Sequence, residues 1–264
     1  MMRHDPSLNR PASAPATPPS FSLGRVASVK PLGRDFLRMR IESDDLFRFA
    51  ETLIHFRLVL QPQGVTTPSW PVMDAEGRTV WPKGAAALHR PAYTVRHIDA
   101  AAGWMDTDIF VHDGGRICEF ARQAESGDII GLNGPGGGGV PTGARLLIGG
   151  DETAYPALAR AIEAAPANAG GDCYLFGDSA DYPLPEHPGI TLHVTPRGEA
   201  ELAEKLRRTG TNAQAIWIAT EKSRLGPLKS TILDELGIPK GMTHLAAYWS
   251  APNSTESTPD GDTR

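Results

Sequence analysis

Cysteine is scarce: Cys118 and Cys173 are the only two in a chain of 264 residues, and neither has a further Cys or His at metal-ligand spacing. No disulfide framework and no zinc or iron–sulfur site is indicated, and a reducing compartment fits. Long apolar runs are absent as well. No window is long enough to span a bilayer, and the first residues lack the apolar core of a signal peptide. Nor is there a basic excess, since 26 Lys and Arg face 31 Asp and Glu for a net charge of -5. That argues against a general nucleic-acid binder while leaving room for a local basic pocket. The expectation is a cytoplasmic monomer, not inserted in a membrane, whose partners are small molecules. With 40% hydrophobic residues and 22% charged, the length suits two modest domains.

What is present changes texture along the chain. Residues 1–20 are rich in Pro, Ser and Ala with almost no bulky apolar side chains, and residues 251–264 are similar in Ser, Thr, Asp and Gly. Neither segment can bury enough surface to offset ordering, so both read as disordered tails. Residues 21–140 contain short β-rich runs such as FLRMRIES and HFRLVLQP separated by turn residues, the pattern of an antiparallel barrel or sandwich. The segment between Pro62 and Leu88 reads as a surface excursion. Residues 141–250 alternate strands with helices, which predicts a parallel sheet covered on both faces. Strands are expected near 145–150, 172–176, 190–195, 215–219 and 244–248, with helices from about 151 to 165, 199 to 208 and 223 to 236. Ligands of such sheets sit beyond the carboxyl ends of the strands.

Four stretches carry candidate chemistry. Arg90-Pro91-Ala92-Tyr93-Thr94-Val95-Arg96 places two guanidiniums, a phenol and a hydroxyl on one extended segment. Alternation puts Arg90, Ala92, Thr94 and Arg96 on one face and Pro91, Tyr93 and Val95 on the other. Arg suits a phosphate, Tyr offers a stacking surface and Thr a short hydrogen-bonding group, although an ordinary β-strand explains the same composition. His112-Asp113-Gly114-Gly115 precedes a short helix, whose N-terminus suits an anion unless Glu119 repels it. Gly134 to Gly139 is no G-x-G-x-x-G fingerprint and reads as a linker or hinge. Gly149-Gly150-Asp151-Glu152-Thr153-Ala154-Tyr155-Pro156 is a strand-to-helix turn, with Asp151 or Thr153 as cap.

These stretches, in this order, resemble the siderophore-interacting protein family, the ferric-siderophore reductases within the ferredoxin-reductase-like flavoproteins. Tyr93-Thr94-x-Arg96 resembles the second half of the family's Arg-x-Tyr-Thr-x-Arg, with Arg90 one residue early and Pro91 in its usual place. Gly149 to Ala157 resembles Ala-Gly-Asp-Glu-Thr-Ala-x-Pro-Ala. Gly134-Pro135-Gly136-Gly137 resembles the family's Gly-Pro-Gly-Gly. Trp217 to Glu221 resembles its Trp-x-Ala-Gly-Glu, with Thr220 for Gly. His55-x-Arg57 resembles His-x-Lys, and Tyr248-Trp249-Ser250 lacks the usual final cation.

The resemblance implies a barrel holding FAD and an α/β domain taking NADPH or NADH. It implies cofactor contacts at Arg90, Tyr93, Thr94, Arg96, His112, Gly114, Gly115, Gly134, Gly136, Gly149, Gly150, Asp151, Glu152, Thr153, Thr220, Glu221 and Trp249, with Arg57 meeting the ferric siderophore. The implied activity is reduction of siderophore-bound iron, with no protein ligand for the metal and no side chain assigned as chemical catalyst. NADPH is expected over NADH because Arg197, Lys222 and Arg224 outnumber Asp178 at the strand ends. A flavin oxidoreductase with another electron acceptor, or a non-catalytic flavin- or siderophore-binding protein, are the alternatives.

Overall fold

A computed structural model of the chain describes residues 16–50, 53–65, 67–112, 114–177, 181–195 and 198–251. Fourteen strands and four α-helices are defined among them. The first strands are β1 (Phe21–Leu32), β2 (Phe36–Glu42), β3 (Leu53–Val59), β4 (Val72–Met73), β5 (Thr79–Val80), β6 (Ala92–Thr94), β7 (His97–Asp99) and β8 (Trp104–Phe110). Helix α1 (Arg116–Gln123) and β9 (Ile129–Gly139) follow. Then come β10 (Arg145–Gly150), α2 (Tyr155–Ala164), β11 (Gly170–Leu175), β12 (Ile190–Val194), α3 (Gly198–Thr209), β13 (Ala215–Glu221), α4 (Lys222–Ser230) and β14 (Thr243–Trp249).

Seven strands form one antiparallel sheet in the order β6-β3-β9-β1-β2-β8-β7. Its two edges, β6 and β7, are consecutive in the chain, so the sheet closes on itself as a barrel. This corrects the single extended strand expected over 90–96. The chain leaves β3 at Val95, whose N–H donates to the Ile54 carbonyl, and joins β8 at Arg96, whose N–H donates to the Asp106 carbonyl. The side-chain alternation therefore breaks there. Tyr93 and Val95 pack on the barrel core with Phe56, Leu58, Ile130 and Leu132. Each such fully buried aliphatic contributes about 1.5–3 kcal/mol.

The glycine run is strand as well, not linker or hinge: β9 continues to Gly139 and pairs with β3 through His55 opposite Gly136 and Leu53 opposite Gly139. Residues 16–20, assigned to the disordered arm by composition, carry hydrogen bonds. The Ala16 carbonyl accepts from Met73 N–H, and the Ser20 carbonyl accepts from Gly134 N–H. The remaining arm and tail residues, 1–15 and 252–264, lie outside the described residues. The excursion 62–88 folds back on the barrel, setting Trp70 and Trp81 against Phe21 with ring centroids 5.6 and 6.0 Å apart.

The second sheet is parallel, in the order β12-β11-β10-β13-β14. Its direction of winding reverses between β10 and β13, where such sheets open a crevice. One face packs on α2, the other on α3 and α4. The α2 side also takes in Phe36 and Ile54 of the barrel, so barrel and parallel sheet share a core. Polar ties reinforce it. Arg34 N–H donates to Asp181 at 2.6 Å, Tyr182 O–H donates to Asp108 at 2.7 Å, and Arg160 donates to the Val95 carbonyl at 2.6 Å.

Candidate functional site

Between the barrel and the carboxyl end of the parallel sheet lies a cleft of about 710 Å³. Its barrel wall comes from β3 (His55, Phe56, Arg57), from His89 and Pro91 to Thr94, from Phe110 and His112, and from the start of α1. The floor is Asn133 to Gly138, and the opposite wall is Thr153, Pro156, His244 and Ala246 to Trp249. Local sequence explains this shape. Glycines on β9 remove side chains from the floor, and at Gly136 no atom lies within 4 Å of where a Cβ would stand. Gly114, at φ +80°, turns the chain into α1 as few other residues can. Gly115 must also be small, because a Cβ there would be 2.7 Å from the His112 ring.

The sequence candidates divide between this cleft and its surroundings. Arg57, Tyr93, Thr94, His112, Gly114, Gly115, Gly134, Gly136, Thr153 and Trp249 line it. Arg90 does not: its guanidinium lies over the Trp81 ring, 4.2 Å from the centroid. Arg96 does not either. It is 4% exposed and pairs bidentately with Glu163 of α2 at 2.8 and 2.9 Å. Gly149 and Gly150 stand behind the wall, and Gly150 is glycine because a Cβ would sit 2.5 Å from the Ala219 carbonyl oxygen. Glu152, also outside the lining, packs against Gly177. Asp178 and Arg197 fall outside the described residues.

Asp151 is a tie-point beneath the cleft. Its carboxylate accepts from Thr153 N–H at 3.1 Å, from the Thr153 hydroxyl, from the Thr220 hydroxyl at 3.1 Å and from Trp249 Nε1–H at 2.8 Å. One side chain thus fixes the ends of β10, β13 and β14. Thr220, where glycine was the family pattern, is fully buried, its hydroxyl lying between the carboxylates of Asp151 and Glu199. Glu221 caps α4, accepting from Ser223 N–H at 2.7 Å and Arg224 N–H at 3.2 Å. Hydrogen bonds, first from the Ser223 side chain, hold its carboxyl at about 2.

Sequence reasoning missed Asn133, Arg116 and His244 as lining residues. Asn133 lines the cleft, and its Oδ1 is buried with no hydrogen-bond partner. The open amides of α1, the uncharged Tyr93 and Thr94 and the glycine floor together fit a flat ring system carrying an anionic tail. Glu119 is no obstacle, since its carboxylate points to Gln63 Nε2 at 3.1 Å, outside the lining.

His55 joins the two walls. Its Nδ1 lies 3.3 Å from the Gly138 carbonyl oxygen, and its Nε2 meets the Tyr248 hydroxyl. A neutral ring donating from Nδ1 and accepting Tyr248 O–H at Nε2 satisfies both. Burial pushes its pKa down to about 4. The unfolded chain, near 6.5, therefore takes up a proton first as pH falls, and stability is lost between about 6.5 and 4. At pH 5 the expected loss is about 2 kcal/mol relative to pH 7.5. Urea unfolding at the two pH values should show a loss in His55→Gln smaller by about 2 kcal/mol than in the native chain, the remainder coming from the partly buried histidines His89, His97 and His244. Equal acid sensitivity in both would remove His55 as its source.

Residues 25–139 match the family described as siderophore-interacting FAD-binding domain, and residues 144–252 match siderophore-interacting protein. The chain is similar to the mycobactin import ATP-binding/permease protein IrtA of Mycobacterium tuberculosis, 31% identical over 180 residues. That match covers 64% of this chain and 21% of IrtA, so the chain spans about a fifth of that relative. It is 24% identical over 238 residues to the ferric vibriobactin reductase ViuB of Vibrio cholerae, covering 86% of this chain and 76% of ViuB. Among solved structures, a siderophore utilization protein from T. fusca superposes with a TM-score of 0.77 at 24% identity, covering 92% of this chain and 97% of that one. SipS from Aeromonas hydrophila gives 0.72 at 21% identity, covering 88% and 92%.

Proposed function

Since the chain belongs to the siderophore-interacting protein family, we propose that it is an FAD-dependent NAD(P)H:ferric-siderophore oxidoreductase. The observation that carries this reading is a single cleft bounded by Tyr93, Thr94 and the start of α1 on one side and by β14 on the other. Both matched segments thus face one volume. In this reading residues 21–140 form the flavin domain and 141–250 the nicotinamide domain. Tyr93, Thr94, Asn133, Gly114, Gly115 and Gly136 would hold FAD. Bound FAD supplies the ability to accept two electrons from a nicotinamide and pass them singly to iron.

The chain's own residues shape access. The Gly134 to Gly138 floor leaves room for a broad ring, and the Asp151 and His55 bonds hold Trp249 and Tyr248 as the far wall. The ends of β10 and β13, beside that wall, would receive the nicotinamide nucleotide. Lys222 and Arg224, at the start of α4, favour NADPH. Arg57 meets the chelate, its Nη1 held by the Arg90 carbonyl at 2.9 Å. Hard oxygen ligands bind Fe(III) much better than Fe(II), so reduction loosens the metal without protein ligands. We place the reaction in the cytoplasm, carried out by a monomer. No helix among the described residues is long and apolar enough to cross a membrane.

The expected result is a yellow protein whose flavin band bleaches anaerobically with NADPH, more slowly with NADH, and recovers on adding a ferric siderophore while Fe(II) appears in a chromogenic trap. No bound flavin removes the reading. Bleaching without Fe(II) release favours a flavin oxidoreductase with another acceptor, to which the uncharged, exposed Ser250 after Trp249 also points.

A further inference from the structure

A dinucleotide carries a diphosphate, and a protein usually meets it with a guanidinium as well as backbone amides. The two arginines that the sequence motif offers for this are engaged elsewhere, Arg90 over Trp81 and Arg96 with Glu163, and neither lines the cleft. Arg116 does line it, as the first residue of α1. A cation at that position opposes the helix dipole and the unpaired amides of the first turn, so by itself it is mildly unfavourable.

No carboxylate among the described residues offsets that charge. Arg34, Arg38, Arg40, Arg48, Arg78, Arg96 and Arg207 all form ion pairs with Asp or Glu. The hydrogen bond found for Arg116 is instead from Nη2 to the Gln61 carbonyl oxygen at 2.6 Å. The nearest acid along the helix, Glu119, is turned to Gln63. Gln61 is itself held, its Nε2 donating to the Ser69 carbonyl at 2.9 Å, so the guanidinium is anchored at one nitrogen, and among the described residues no other partner takes its remaining donors. A fixed cation with no carboxylate partner among the described residues, beside a row of free amides, suits a dianionic ligand in the same cleft.

We propose that Arg116 is the cation that receives the diphosphate of FAD in this chain, in place of Arg90 and Arg96. The proposal rests on the flavin reading above and assigns a residue that the sequence motif does not indicate. It makes Arg116 a specificity residue for FAD over phosphate-free riboflavin.

Flavin titrations followed by fluorescence test it on the native chain and on Arg116→Ala, Arg116→Lys and Arg90→Ala. Arg116→Ala should weaken FAD binding about ten- to a hundredfold and leave riboflavin binding unchanged. Arg116→Lys should recover part of the loss, and Arg90→Ala should stay close to native. The salt dependence of FAD affinity should flatten in Arg116→Ala. FAD binding in Arg116→Ala equal to native, or an equal loss for FAD and riboflavin, overturns the assignment while leaving the flavin reading standing. Failure of the native chain to bind any flavin removes both together.

Discussion

A chain carrying Gly136→Phe is expected to fold normally and to be purified without flavin. Gly136 pairs with His55 inside the barrel sheet, has no left-handed backbone angle, and has no atom within 4 Å of the position a Cβ would take. A side chain there meets no strain and enters the open floor of the cleft. Glycine also costs about 0.5–1 kcal/mol in a strand relative to a residue with a Cβ, so the variant should melt at the native temperature or above it. Binding is another matter, because a phenyl ring takes the volume that a flat ligand needs. FAD affinity should fall by at least about a hundredfold, roughly 2.7 kcal/mol. Equilibrium dialysis against FAD with a parallel thermal melt reads both quantities. Native affinity in a well-folded variant would place the ligand away from the glycine floor.

The contrast with Gly150 explains why such a distinction was not legible from sequence. Both are glycines in glycine-rich stretches, yet Gly150 is small because Ala154 Cβ and the Ala219 carbonyl crowd it, whereas Gly136 borders space. Only pairing and packing separate the two. Periodicity did reveal the parallel sheet, since Leu146, Ile148, Trp217 and Ile218 lie in strands buried on both faces and read as apolar runs. It failed on β9, because a run of glycines has no side-chain period and its strand character comes from backbone bonding to β3. Asp151 was legible as a helix cap, but its bonds to Thr220 and Trp249 span distances in sequence that no local pattern encodes. Arg116 carried a readable signal: a basic residue in a first helical turn is out of place unless an anion meets it.

Arg96 was assigned to the flavin from its motif, and its position predicts a different role, measurable through an asymmetry with Glu163. The Arg96 side chain is 5% exposed and the Glu163 side chain 39%. Burial lowers the guanidinium pKa, the Glu163 carboxylate and Tyr182 raise it, and the balance holds it above the ordinary arginine value. Glu163→Ala leaves a charged guanidinium buried between barrel and α2, with Nε already lacking a partner. That should cost about 3 kcal/mol, as breaking a buried pair from one side does. Arg96→Met removes the buried charge and keeps most of the packing, while the half-exposed carboxylate turns to water, so the cost should be at most about 1 kcal/mol. The double variant should resemble Arg96→Met, because no stranded cation remains, giving a coupling of about 2–3 kcal/mol rather than additivity. Urea unfolding of the four proteins measures this, and FAD affinity in Arg96→Met should equal native because the guanidinium does not line the cleft. Equal destabilisation by the two single substitutions would mean that the pair is effectively solvated, and a loss of FAD in Arg96→Met would return Arg96 to the cofactor.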